Sequence, residues 1–133
     1  MNINHIRLCY RFTYPDKPIN FGIRINNTNV LHCHGVKHNV YVFDYKFTNQ
    51  TQNKIELVVS GKTNSHTVLD NQGNILNTSQ IEIQEFIINN VDILDLAYSN
   101  EHLMSYNYID NNTEHSIAFD PILGFNGIVT YEF

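Results

Sequence analysis

The sequence predicts an all-β fold, an antiparallel β-sandwich or jelly roll of about nine or ten short strands. Three observations carry this. Apolar residues recur at every second position in one segment after another, the period of a strand with one buried face. The segments return at intervals of roughly ten residues, separated by turns rich in Asn, Asp and Gly. No long stretch shows the 3.6-residue period of an amphipathic helix.

The first strand is expected over residues 5–14, where Ile6, Leu8, Tyr10, Phe12 and Tyr14 alternate with His5, Arg7, Cys9, Arg11 and Thr13. Pro15 and Pro18 end it, because proline cannot donate to a ladder. Residues 20–33 read as a hairpin turning at Asn27-Thr28-Asn29, since Asn tolerates left-handed backbone. A strand over 39–48 places Tyr41, Phe43, Tyr45 and Phe47 on one face, and another covers 54–60. Short strands follow at 67–69 and 75–76 around the turn Asp70–Asn74, then at 81–88, with a tight turn at Asn89-Asn90. Residues 95–98 read as one helical turn or an irregular link. Strands over 103–109 and 127–133 complete the set. Nothing resembling a linker or an internal repeat interrupts the 133 residues, so one domain over 1–133 is expected.

Composition narrows the function. The formal net charge is −5, with eight Lys and Arg scattered among thirteen acids. Without a basic stripe, a nucleic-acid partner is not expected, because phosphate neutralisation dominates that affinity. No apolar run approaches the roughly 20 residues of a membrane span, and the first residues do not form a secretory signal. Cys9 and Cys33, the two cysteines, are therefore expected to stay reduced.

Chemistry-bearing clusters are few. His32, Cys33 and His34, with His38 four residues on, form a weak metal candidate. His32 and His34 share a strand face while Cys33 points away, so remaining zinc ligands must come from elsewhere. Asp70-Asn71-Gln72-Gly73-Asn74 superficially resembles part of a calcium loop but lacks its alternating acids, and turn stabilisation is the simpler reading. Glu82 and Glu85 are spaced for opposite strand faces, and neither a nucleophile elbow nor a phosphate loop is present, so no enzyme is expected. Tyr106 with Tyr108, and Tyr41 with Tyr45, each share one strand face and are candidate sugar-stacking platforms.

Two stretches carry a family likeness. Ser60-Gly61-Lys62-Thr63 leads through Gly73-Asn74-Ile75 to Ile81-Glu82-Ile83 and Phe86-Ile87-Ile88-Asn89-Asn90-Val91-Asp92-Ile93, and the chain closes on Gly124-Phe125-Asn126-Gly127 and its strand. This resembles small proteins of T-even-like tailed phages of marine bacteria, and is similar in pattern to calcium-dependent xylan-binding modules. The likeness covers about half the chain, from Leu57 to Val91 and from Gly124 to Phe133. Val91 stands where those sequences carry a glycine, which would shift the tight turn. The resemblance implies a carbohydrate-binding-module-like sandwich and a non-enzymatic phage accessory protein. It would dock on the virion as a head decoration or tail-associated part, or self-associate, with a glycan-binding face. It would be located on the virion, or in the host cytoplasm during assembly. Calcium is the cofactor the resemblance allows. The alternative is a free carbohydrate-binding or metal-dependent protein acting in the infected host.

Overall fold

Alternation sets the first strand: β1 (Ile3–Phe12) buries Ile6, Leu8, Tyr10 and Phe12 and turns His5, Arg7 and Arg11 outward. The computed structural model describes residues 2–35 and 40–133; His38 lies outside the described residues. The chain continues through β2 (Asn20–Ile25), β3 (Thr28–His34), β4 (Tyr41–Thr48), β5 (Lys54–Ser60), β6 (Thr67–Leu69), β7 (Ile75–Thr78), β8 (Ile81–Ile88) and β9 (Val91–Asp92). It ends with the helix α1 (Ile93–Ser99), β10 (Ser105–Asp110), β11 (Thr113–Ala118), β12 (Ile122–Leu123) and β13 (Gly127–Glu132).

These strands form the expected antiparallel sandwich. One sheet has the order β12-β8-β1-β4, with β9 pairing on β8; the other runs β11-β10-β13-β5-β2-β3. β6 and β7 stand apart as a two-stranded hairpin. Between the sheets lie Leu8, Tyr10, Phe12, Ile83 and Phe86 from one side and Phe21, Ile23, Leu57, Val129 and Tyr106 from the other. The helix is one short element, capped by Asp92, whose side chain accepts from Asp95 N. Among the described residues no helix is long and apolar enough to cross a membrane.

Two sequence expectations are corrected here. Glu82 and Glu85 share a face after all. β8 carries a bulge: Glu85 pairs with Cys9 and Ile83 with Tyr10, leaving Gln84 extra. The bulge reverses the alternation, so both glutamates point outward, where Arg11 Nε donates to Glu82 (2.6 Å) and Arg7 Nε donates to Glu85 (2.9 Å). The tight turn before β9 is not shifted by Val91, because Asn89 and Asn90 themselves take φ of 50° and 66°.

That last geometry recurs. Asn26-Asn27 and Asn111-Asn112 likewise hold positive φ at both central positions of two-residue hairpins, the type I′ turn that matches strand twist. Asn89 also joins Asn4, Asn49 and Asn53 in cross-linking one end of the sandwich. Asn89 Nδ2 donates to Asn4 Oδ1 (2.8 Å), Asn4 Nδ2 to Asn49 Oδ1 (2.9 Å), and Asn53 Nδ2 to the same Asn49 oxygen (2.8 Å). Asn53 Oδ1 also accepts from Gln50 N (3.1 Å), and Asn53 is buried. Replacing Asn53 with alanine strands these partners and should destabilise the fold by about 1–3 kcal/mol in urea unfolding. A change within error would show the chain of amides to be ornamental.

Candidate functional site

The six-stranded sheet presents its outer face as a groove. Because Phe21, Ile23 and Ile25 point inward, Gly22 and Arg24 point outward, and the same parity governs each neighbouring strand. Register then lines up one residue per strand: His32, Gly22, Val58, Ile128, Asn107 and Ser116 are successive cross-strand partners from β3 to β11. At about 4.8 Å per strand this row spans about 24 Å. Over β5, β13, β10 and β11 lies an open groove of about 760 Å³. Val58, Ile128 and Ile109 give it an apolar floor, with Asn107, Ser116 and Asn126 as neutral hydrogen-bonding groups. Ile109 is 54% exposed and shares the groove floor with Val58 and Ile128. Glu114 is the one carboxylate lining the groove among the described residues. A smaller hollow of about 240 Å³ lies over Gly22 and is lined by Arg24, Asn29, His32 and Ser60; Val58 borders both.

Asn126 lines the groove, and the segment that carries it, 124–126, is pinned. The Tyr106 hydroxyl donates to the Phe125 carbonyl and accepts from Phe125 N (3.0 Å). Lys62 Nζ donates to Gly124 O (2.7 Å) and Thr78 Oγ1 (3.0 Å), while its backbone N–H donates to Asn126 Oδ1 (2.9 Å). Asn126 Nδ2 returns a bond to Lys62 O (2.9 Å). Burial holds the Lys62 ammonium below its ordinary pKa, opposed by the Asp110 carboxylate.

The candidate tyrosines separate. Tyr106 is 2% exposed, so its ring belongs to the core and offers no face to a sugar. Tyr108 is half-buried, and its ring already stacks with Phe125 (4.5 Å) and His115 (5.1 Å); it borders the groove. Tyr41 stacks with Tyr10 (5.4 Å) and Tyr45 with Phe43 (5.6 Å), both on β4 in the other sheet. The two candidate pairs thus lie on different sheets, Tyr106 and Tyr108 on β10 and Tyr41 and Tyr45 on β4.

The metal candidates separate too. His32 and His34 share the outer face, as strand alternation required, and His34 Nδ1 donates to Asn20 Oδ1 (2.8 Å). Among the described residues no three His, Cys, Asp or Glu side chains converge. The Asp70 carboxylate is occupied by its own turn: Oδ1 accepts from the Gln72 and Asn74 backbone N–H groups and Oδ2 from Asn74 Nδ2. Those bonds, with Asn74 foremost, hold its pKa below the ordinary carboxylate value.

Burial pushes the Tyr106 phenol up to about 12, against a hydrogen bond from the Phe125 backbone that favours the anion. Unfolding would return it to about 10. Between those values the folded chain holds a proton that the unfolded chain releases, so stability is intact below pH 10 and falls as pH rises toward 12. Urea midpoints across that range should drop, and Tyr106→Phe should flatten part of the drop. An unchanged slope would mean that the buried hydroxyl does not set it.

No protein-family model matches the chain, and no curated protein sequence matches it. Two solved structures share its fold. One is the selenomethionine form of vCBM60, described in a study of circular permutation linking two families of calcium-dependent carbohydrate binding modules. It superposes with a TM-score of 0.57 at 12% identity, over 96% of this chain and 89% of that one. The other is vCBM60 in complex with galactobiose, with a TM-score of 0.54 at 13% identity, over 96% of each chain. At such identity the likeness concerns the fold. The described residues bring together no carboxylate cage of the kind calcium takes.

Proposed function

We propose that this chain is a non-catalytic binding module whose ligand is a carbohydrate, held in the outer groove of the six-stranded sheet. The observation that carries this reading is the pairing of an apolar strip, Val58, Ile128 and Ile109, with the uncharged donors and acceptors of Asn107, Ser116 and Asn126. A sugar ring needs both: an apolar face to rest on and hydrogen bonds for its rim of hydroxyls. The fold shared with a module seen bound to galactobiose supports it. A non-catalytic role is supported by the carboxylates. Glycoside hydrolysis takes two facing acids; the groove has Glu114, and Glu82 and Glu85 are held by arginines on the other sheet. The virion as carrier of the module rests on the sequence resemblance, and mass spectrometry of purified virions tests it; absence there removes that part.

A glycan array with the purified chain should show selective binding, and Ile109→Asp should reduce it by at least about tenfold by putting a charge on the apolar floor. EDTA should leave it unchanged, because among the described residues no three carboxylate, imidazole or thiol side chains converge on a cation. A flat array, or full binding by the Ile109→Asp chain, would overturn the assignment.

A further inference from the structure

We infer that the smaller hollow over Gly22 is a subsite for the carboxylate of an acidic sugar carried by the glycan in the main groove. This rests on the carbohydrate reading above. The hollow lies on the same cross-strand row as the groove and meets it at Val58, so a chain seated on Ile128 and Asn107 runs on over Gly22.

Two features define what the hollow takes. The first is its floor. Gly22 sits inside β2, where glycine weakens a strand and often marks a close approach by a ligand. A Cβ there would meet the Leu31 carbonyl oxygen at 3.2 Å and Val58 Cβ at 3.9 Å, so bare backbone forms the bottom of the hollow. The second is its charge. Arg24 Nη2 donates to Glu56 Oε2 (3.0 Å), and Lys54 Nζ lies 3.8 Å from the other Glu56 oxygen. Two cations therefore face one carboxylate. Arg24 Nη2 takes the Glu56 bond while the Arg24 side chain stays 36% exposed at the hollow, so the guanidinium keeps N–H donors that Glu56 does not use. A guanidinium fork matches a carboxylate in shape as well as in charge. His32 stands on the adjoining strand, and Asn29 and Ser60 complete the rim with neutral groups. Glu114 lies at the far end, beside Ser116 on β11. In a chain whose overall charge is −5, Arg24 is thus the charged side chain lining the hollow, and with Lys54 and Glu56 beside it the cluster carries one net positive charge.

α-1,4-Linked galactotetraose and α-1,4-linked tetragalacturonate, which differ in whether each ring carries a hydroxymethyl or a carboxylate, form a matched pair for calorimetry. The acidic chain should bind about tenfold tighter, the effect of one charge-assisted contact. Sodium chloride should reduce that preference, and Arg24→Gln should abolish it. Because Arg24→Gln leaves Glu56 with one cation and could disturb the sheet, Asn29→Asp serves as the second variant. It adds a negative charge at the exposed rim and should also erase the preference. Equal affinity for the two chains would overturn the subsite and leave the carbohydrate reading standing. A preference that survives both variants would place the carboxylate elsewhere and overturn it as well. Binding of neither chain would overturn the subsite, and the glycan array decides the carbohydrate reading.

Discussion

Truncating Phe86 to alanine should lower the stability of the fold by about 3–5 kcal/mol, a large share of the roughly 5–15 kcal/mol that holds a domain together. Phe86 is completely buried in β8, and its ring meets Tyr131 edge-to-face at 6.2 Å, joining the two sheets at the middle of the core. No neighbour can fill the space, because inter-sheet packing is fixed by backbone ladders on both sides. Melting should fall by roughly 10–20 °C. Ile87→Ala, one residue along the same strand, is the control. Strict alternation from Ile81 and Ile83 would bury residues 85 and 87 and expose 86. The bulge at Gln84 inverts this, so Ile87→Ala should cost a small fraction of what Phe86→Ala costs. Comparable losses, or the reverse order, would contradict the register.

The same bulge shows where sequence reading stopped. Period-two patterning marks a strand wherever one face is buried, and β1, β2, β5 and β13 are legible for that reason. A bulge leaves both flanking runs apolar and changes only their phase, so Glu82 and Glu85 read as facing apart. β11 is invisible for a different reason. Thr113–Ala118 is an edge strand exposed along its whole length, and a strand that buries no face has no alternation to display. β12, two residues long, offers no period at all.

The groove was only partly legible. Tyr106 and Tyr108 read as a pair on one strand face, and that parity is correct, but their face is the inner one. Tyrosine on an inward face buries its ring and ties its hydroxyl locally, as Tyr106 does to Phe125. The informative residue was the next one. Ile109 follows Tyr108, so an isoleucine falls on the outward face of a strand whose inward face is already aromatic. An apolar residue on that face becomes informative when neighbouring strands place others beside it. Ile128 on β13 is one, and register sets it beside Asn107. The asparagines divided as their chemistry allows: some supply left-handed turns, some join the amide chain at the end of the sandwich, and Asn107 and Asn126 line the groove.

Gly127→Ala should be among the most damaging of the glycine substitutions, costing at or above the roughly 3 kcal/mol upper end of overpacking. A Cβ at Gly127 would lie 2.3 Å from the Asn107 carbonyl oxygen and 2.7 Å from Tyr108 Cα. Both are backbone atoms of the paired strand, so relief requires β10 and β13 to part. The bond from Ile109 N to Asn126 O (3.0 Å) sits at that end of the pair and would go first. Groove and fold are thus coupled at one residue: Asn107 and Ile109 move with β10, and Asn126 with the segment that Lys62 and Tyr106 hold. Glycan affinity should fall with stability in Gly127→Ala, and the two should be separable elsewhere. Gly73 has open space around it but a φ of 83°, so Gly73→Ala should cost about 1–2 kcal/mol through backbone strain alone and leave binding intact, since the β6–β7 turn lies outside the groove. Chemical unfolding paired with glycan affinity for both variants distinguishes the cases. A Gly127→Ala chain that folds with wild-type stability would show that the β10–β13 pair yields where close packing of backbone on backbone says it cannot.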